Sequence, residues 1–147
     1  MSSDSSEGPW PESPPPESRF RWSWNPAVLS DLPVVRREFR AHALGLLAGR
    51  AHAEDAVADA VLALDELMSN ALRHGGTPVQ VTVGSLESGL LLVVADGSAG
   101  DPPRHRTPDG SGPGGRGLHI VADAAEGTGW CRSPGGKSVW AFVPVMI

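Results

Sequence analysis

The sequence has few features that could form disulfides, span a membrane or direct secretion. The chain of 147 residues has one cysteine, so no disulfide can form within it. Its longest apolar runs, such as residues 90–95, are far shorter than the roughly 20 residues that a membrane-spanning helix needs. The first residues lack the basic and apolar regions of a signal peptide, so we expect a cytoplasmic protein with no membrane partner.

A strongly basic surface is also missing. The net charge is −5, and four of the acids fall within residues 1–18, which contain no base. The rest of the chain is close to neutral. Because binding to nucleic acid depends on clustered Arg and Lys that neutralise phosphates, we do not expect nucleic acid as a direct partner. Apolar residues make up 40% of the chain, enough to bury one core at this length.

Residues 1–18 differ in composition from the rest. They contain six Ser, five Pro and four acids, with Trp10 as the only large apolar side chain. Such a segment cannot bury enough apolar surface to offset its chain entropy, so it is predicted to be a disordered acidic tail. Residues 19–147 are then predicted to form one domain.

The apolar periodicity predicts three helices and about five strands. Alternation of large apolar and polar residues predicts strands, and apolar residues at spacings of three and four predict helices. Ser30 or Asp31 is expected to cap the first helix. Strands are predicted at about residues 20–24, 79–83, 90–95, 129–132 and 137–143, and helices at about 32–48, 53–74 and 115–124. The fold class is therefore α/β, a two-layer sandwich with the three helices on one face of a mixed sheet.

The second helix carries two polar residues that could support chemistry. Glu66 and Asn70 are four residues apart, so they lie one turn apart on the same side, away from the apolar stripe. A carboxylate there can accept a proton from a hydroxyl nucleophile, and an amide oxygen can ligate Mg²⁺. Taken alone, such a pair is more often an ordinary solvated helix face.

Two later segments have the composition of a ligand site. Asp96 ends the apolar strand 90–95, where α/β sheets tend to bind ligands, and its carboxylate could accept an exocyclic amine such as that of adenine. An Asx turn is the simpler interpretation. Residues 112–118, GPGGRGL, precede the third helix. Their backbone N–H groups and Arg116 could bind phosphate, although a glycine-rich loop is more often only a linker.

In combination, these segments resemble the GHKL superfamily, which includes gyrase-type ATPases, histidine kinases and anti-sigma factor kinases. Residues 65–75, DELMSNALRHG, resemble its N-box, and residues 96–100 resemble its first glycine box. Residues 112–118 resemble the second glycine box. Residues 136–140, GKSVW, are similar to the final strand motif of the anti-sigma branch. The resemblance covers about residues 20–143 and implies the Bergerat ATP-binding fold.

The resemblance implies ATP and Mg²⁺ as cofactors. It makes Asn70 the Mg²⁺ ligand, Glu66 the general base and Asp96 the acceptor of the adenine amino group. The loop between Gly100 and Gly115 would be the ATP lid. The other nucleotide-binding positions that it implies are Gly100, Gly115, Arg116, Gly117, Leu118 and Ser138, the last of these near the base. Ser98 departs from the family pattern, because it stands where a second glycine is usual.

The function implied is that of an anti-sigma factor-type serine protein kinase. Such a kinase phosphorylates an anti-sigma factor antagonist and can also sequester a sigma factor. One alternative is a non-catalytic module that senses ATP and binds a partner. Another is an α/β interaction domain with no ligand. Related kinases are often homodimers, but no feature of this sequence indicates a dimer interface.

Overall fold

The computed structural model describes residues 10–98, 121 and 123–145. Within them, one strand is followed by two α-helices and then by four more strands. Within these residues, no helix has both the length and the apolar character needed to cross a membrane. The helices are α1 (Leu32–Leu46) and α2 (Ala53–His74). The strands are β1 (Arg19–Trp24), β2 (Gln80–Leu86), β3 (Gly89–Asp96), β4 (Gly127–Ser133) and β5 (Gly136–Pro144).

The five strands form one sheet in the order β1-β2-β3-β5-β4. Every neighbouring pair is antiparallel, so the prediction of a mixed sheet is wrong. Strands β3 and β4 do run in the same direction. They are not neighbours, because the β4–β5 hairpin places β5 between them, so no parallel pair forms among the described strands.

The core lies between one face of the sheet and the two helices. Side chains alternate between the two faces of a strand, and on β3 the helix-facing set is Leu90, Leu92 and Val94, all essentially inaccessible. Most of the predicted stripe of α2 is buried against this face, which confirms the helical periodicity. The buried members are Val57, Leu64, Met68 and Ala71, whereas Val61 is only partly buried.

Helix α1 packs on α2 and against β1. The rings of Trp22 and Trp24 meet Phe39 edge-on, with centroids 6.3 and 6.4 Å away. The start of α1 differs from the prediction, because the Asp31 side chain does not cap this helix. Its carboxylate instead accepts the N–H groups of Ala27 at 2.8 Å and Val28 at 3.1 Å. These two bonds lower the pKa of Asp31.

Most of the predicted third helix, at about 115–124, lies outside the described residues. The described part, Val121, Asp123 and Ala124, is helical, and the N–H of Ala125 donates to the Val121 carbonyl at 2.9 Å. The side chain of Val121 is completely buried in the core. The structure therefore describes two complete α-helices and the last turn of a third.

Residues 10–18, part of the segment expected to be disordered, make specific contacts with the sheet. Trp10 is only 3% exposed, and its carbonyl accepts the indole N–H of Trp130 at 3.1 Å. The N–H of Ser13 donates to the Trp130 carbonyl at 2.8 Å, and the Ser13 carbonyl accepts the indole N–H of Trp140 at 2.8 Å. This stretch therefore runs beside the outer edge of β4.

Candidate functional site

The end of α2 meets the end of β3 through a set of close glycine contacts. Gly75 follows α2, and its N–H donates to the Ala71 carbonyl at 2.9 Å. The N–H of Gly97, just after β3, donates to the Gly76 carbonyl at 2.6 Å. A Cβ on Gly75 would lie 2.4 Å from Asp96 Oδ2, closer than real Cβ contacts allow. Because Gly75 has no side chain, α2 can end directly against the Asp96 carboxylate.

The Asp96 carboxylate is buried and accepts hydrogen bonds from two groups. Its side chain is 2% exposed. Oδ1 accepts the N–H of Ser98 at 2.8 Å, which is the local contact of an Asx turn. The Lys137 ammonium lies 3.2 Å from Oδ1 and 3.1 Å from Oδ2. The carboxylate therefore forms both the Asx contact, which was the simpler interpretation, and a buried ion pair that the sequence analysis did not identify.

The register of β3 and β5 explains why Lys137 and not Ser138 lies beside Asp96. Asp96 pairs with Lys137, whereas Ser138 pairs with Ala95. Since neighbouring positions of a strand point to opposite faces, the Ser138 side chain lies on the face opposite to the Asp96 carboxylate. A signal was available in the sequence, because Lys137 is the chain's single lysine and stands at the start of the strand that pairs with β3.

Glu66 and Asn70 lie on α2 as the helical spacing predicts. Both are partly buried. With a rise of 1.5 Å per residue, Asn70 lies about 7.5 Å and Glu66 about 13.5 Å along the helix before Gly75. Along the helix axis, Asn70 is therefore the nearer of the two to the end of α2, where Asp96 is located.

The surroundings of Glu66 favour its protonated form. Burial raises the pKa of the Glu66 carboxyl, the negative charge of Asp65 raises it further, and Arg73 opposes both effects. Asp65 itself pairs with Arg36 of α1 at a short N–O distance of 2.6 Å. This ion pair links α1 to α2 next to Glu66.

The described residues fit a nucleotide with its metal ion. Mg²⁺ bound to nucleotide phosphates needs only one or two protein oxygens, since phosphates and waters supply the others, and the Asn70 amide oxygen suits this role. In the described part of the chain, no three of His, Cys, Asp and Glu gather into a metal site of their own. The Asp96 carboxylate has the chemistry to accept an amino group of a base.

Five of the positions implied by the resemblance cannot be compared with the structure. They are Gly100, Gly115, Arg116, Gly117 and Leu118, and they lie outside the described residues, as does the loop expected to be the ATP lid. Their roles in binding phosphate stay predictions.

The chain is an α/β sandwich with the polar residues Glu66 and Asn70 on α2 and an acid, Asp96, at the end of a central strand. This arrangement is consistent with a Bergerat-like nucleotide-binding domain. The histidine kinase-like ATPase domain family matches residues 26–142. The chain therefore belongs to this family, and its resemblance to the GHKL superfamily is confirmed. Among curated proteins, none matches the chain. Membership identifies an ATP-binding domain of the histidine kinase-like class.

Proposed function

We propose that the chain is a serine protein kinase of the anti-sigma factor type. It would transfer the γ-phosphoryl group of ATP to a serine of an antagonist protein and sequester a sigma factor. The observation that carries the proposal is that Glu66 and Asn70 lie on α2, the helix that ends against the buried Asp96, in a chain that the ATPase family matches over residues 26–142. The GKSVW motif of residues 136–140 supports the anti-sigma branch.

In this proposal, each of the three polar residues has one role. Asp96 accepts the amino group of the base, and Asn70 contributes its amide oxygen to Mg²⁺. When bound, Mg²⁺ neutralises charge on the phosphates during the transfer. Glu66 accepts the proton of the serine hydroxyl while the serine oxygen bonds to the γ-phosphorus and the bond to ADP breaks. The raised pKa of Glu66 makes its carboxylate a better proton acceptor near neutral pH.

A protein partner is consistent with the charge of the chain. Residues 19–147 are nearly neutral, so the phosphate-driven binding typical of nucleic acid partners is not favoured. Both proposed partners, an antagonist and a sigma factor, are proteins.

The proposal is tested by incubating the purified chain with labelled ATP, Mg²⁺ and candidate antagonist proteins. The wild type is expected to label a serine of one of them. Glu66→Gln should slow the transfer about 100-fold or more, the usual loss when a general base is removed, while ATP binding is retained. Glu54→Gln is a matched control, because Glu54 is exposed in the first turn of the same helix.

Two results would contradict a kinase. One is undiminished transfer by Glu66→Gln. The other is a partner that binds tightly in the presence of ATP, receives no phosphate and binds Glu66→Gln equally well. The second result would support the alternative of a non-catalytic ATP-sensing module, in which ATP and the partner must strengthen each other's binding by the same factor.

A further inference from the structure

The buried ion pair of Asp96 and Lys137 places a hydrogen-bond donor next to the proposed base acceptor. The Lys137 ammonium has three oxygen neighbours, Asp96 Oδ1 at 3.2 Å, Asp96 Oδ2 at 3.1 Å and the Ser98 carbonyl at 3.5 Å. The contact to the Ser98 carbonyl is at the outer limit of a hydrogen bond. The ammonium is therefore held mainly by the Asp96 carboxylate and only weakly by the Ser98 carbonyl.

A buried ion pair of this kind contributes little to the free energy of unfolding. Removing two charges from water costs about as much as their attraction returns, and apolar replacements of such pairs are often neutral or stabilising. The Lys137 side chain is 9% exposed, compared with 2% for Asp96. Because the ammonium lies within 3.2 Å of both carboxylate oxygens, a ligand that reaches the carboxylate also meets the lysine. This arrangement points to a role for Lys137 in binding.

We propose that Lys137 is a base-selecting residue that lets the site accept guanine as well as adenine. The inference rests on the proposed function, in which Asp96 contacts the base. At position 6, adenine carries an amino donor and guanine a carbonyl acceptor. A carboxylate alone can only accept, so it pairs with adenine and repels the guanine oxygen. An ammonium can only donate, and it supplies the bond that guanine needs.

The substituent at position 6 of each base finds a partner at this pair. With adenine, an Asp96 oxygen accepts the 6-amino group. With guanine, the Lys137 ammonium donates to the 6-oxygen. The carboxylate therefore serves adenine and the ammonium serves guanine. The side chain of Ser138 lies on the other face of the sheet and takes no part.

The first test uses the wild-type chain and calorimetric titration with Mg-ATP and with Mg-GTP. The two dissociation constants are expected to lie within about tenfold of each other, since each base makes a comparable set of bonds. If ATP binds and GTP binds more than 100-fold more weakly, the inference is overturned and the proposed function survives. If neither nucleotide binds, the proposed function fails and the inference fails with it.

The second test removes the donor. Lys137→Met should increase the ratio of the GTP to the ATP dissociation constant by about tenfold or more, and Lys137→Arg, which restores a donor, should return it towards the wild-type value. Arg40→Met, on the exposed side of α1, should leave the ratio unchanged. Thermal unfolding establishes which variants fold.

The ratio distinguishes selection from a purely structural role. A structural loss at Lys137 weakens both nucleotides equally and leaves the ratio unchanged, which would overturn the assignment. If Lys137→Met does not fold, the wild-type comparison of ATP with GTP still decides whether the site accepts guanine.

Discussion

Glu66 couples the proposed chemistry to the stability of the fold. Its pKa is raised above the ordinary value of 4.5, mainly by burial and then by Asp65. The folded chain therefore binds this proton more tightly than the unfolded chain does. The resulting stabilisation is complete below pH 4.5 and is lost as the pH rises through the raised pKa.

Replacing Glu66 by Gln should therefore change how stability depends on pH. The variant keeps an uncharged side chain, so its melting temperature should rise relative to that of the wild type between about pH 4 and pH 7.5. Thermal unfolding followed by circular dichroism at several pH values measures this difference. A difference that stays constant over the whole range would contradict the assigned environment of Glu66.

Gly75 is the residue that lets helix and carboxylate approach each other. A methyl group there would lie 2.4 Å from Asp96 Oδ2, so Gly75→Ala should displace the carboxylate, lower the melting temperature and weaken ATP binding several-fold. Gly45→Ala is the control, because a Cβ on Gly45 meets nothing within 4 Å. In α1 this control change should stabilise by about 0.5–1 kcal/mol.

These two variants are compared by thermal unfolding and by calorimetric titration with Mg-ATP. Wild-type affinity in Gly75→Ala would mean that the Asp96 carboxylate can move without loss, and the site as described would then be wrong.

At the level of single residues, the sequence predicted the acid at the strand end but not its partner. The apolar run before Asp96 was enough to predict that a buried strand ends there. Pairing it with Lys137 required the register between β3 and β5, and these two residues are 41 positions apart in the sequence. Local patterns carry no information on such a register until the sheet order is known.

Among the secondary-structure elements, the regular helices were the easiest to predict. The apolar spacing of α2 predicted residues 53–74, and the structure has Ala53–His74. The direction of strand pairs was harder to predict, because the position of β5 between β3 and β4 depends on contacts between residues far apart in the sequence. Composition gave no indication that residues 10–18 contact the sheet, where the Trp10 side chain is buried and the Trp10 and Ser13 carbonyls accept the indole N–H groups of Trp130 and Trp140.

The contribution of the N-terminal stretch can be measured with one substitution. Trp10→Ala removes a side chain that is 3% exposed, and it should lower the free energy of unfolding by about 3–5 kcal/mol. Phe20→Ala is the matched control, because Phe20 is 63% exposed and should change stability by less than about 0.5 kcal/mol. Denaturant unfolding gives both values. An equally small effect at Trp10 would contradict its place in the core.

At the scale of the whole molecule, α2 connects the parts of the proposed mechanism. It is linked to α1 by the Arg36–Asp65 ion pair, carries Glu66 and Asn70 along its length, and ends against Asp96. A nucleotide bound along this helix would contact residues from α2, β3 and β5 together. The same geometry suits a kinase and an ATP sensor, so the transfer experiment is needed to distinguish them.

The central claim is that Asn70 of α2 and Asp96 bind a nucleotide. Calorimetric titration of the full chain with Mg-ATP tests this claim most directly. The account predicts saturable binding at one site. It also predicts that Asn70→Ala weakens binding in the presence of Mg²⁺ by at least about tenfold, while Arg73→Ala, on the exposed last turn of α2, stays close to the wild type. No binding by the wild type, or equal losses in the two variants, would contradict it.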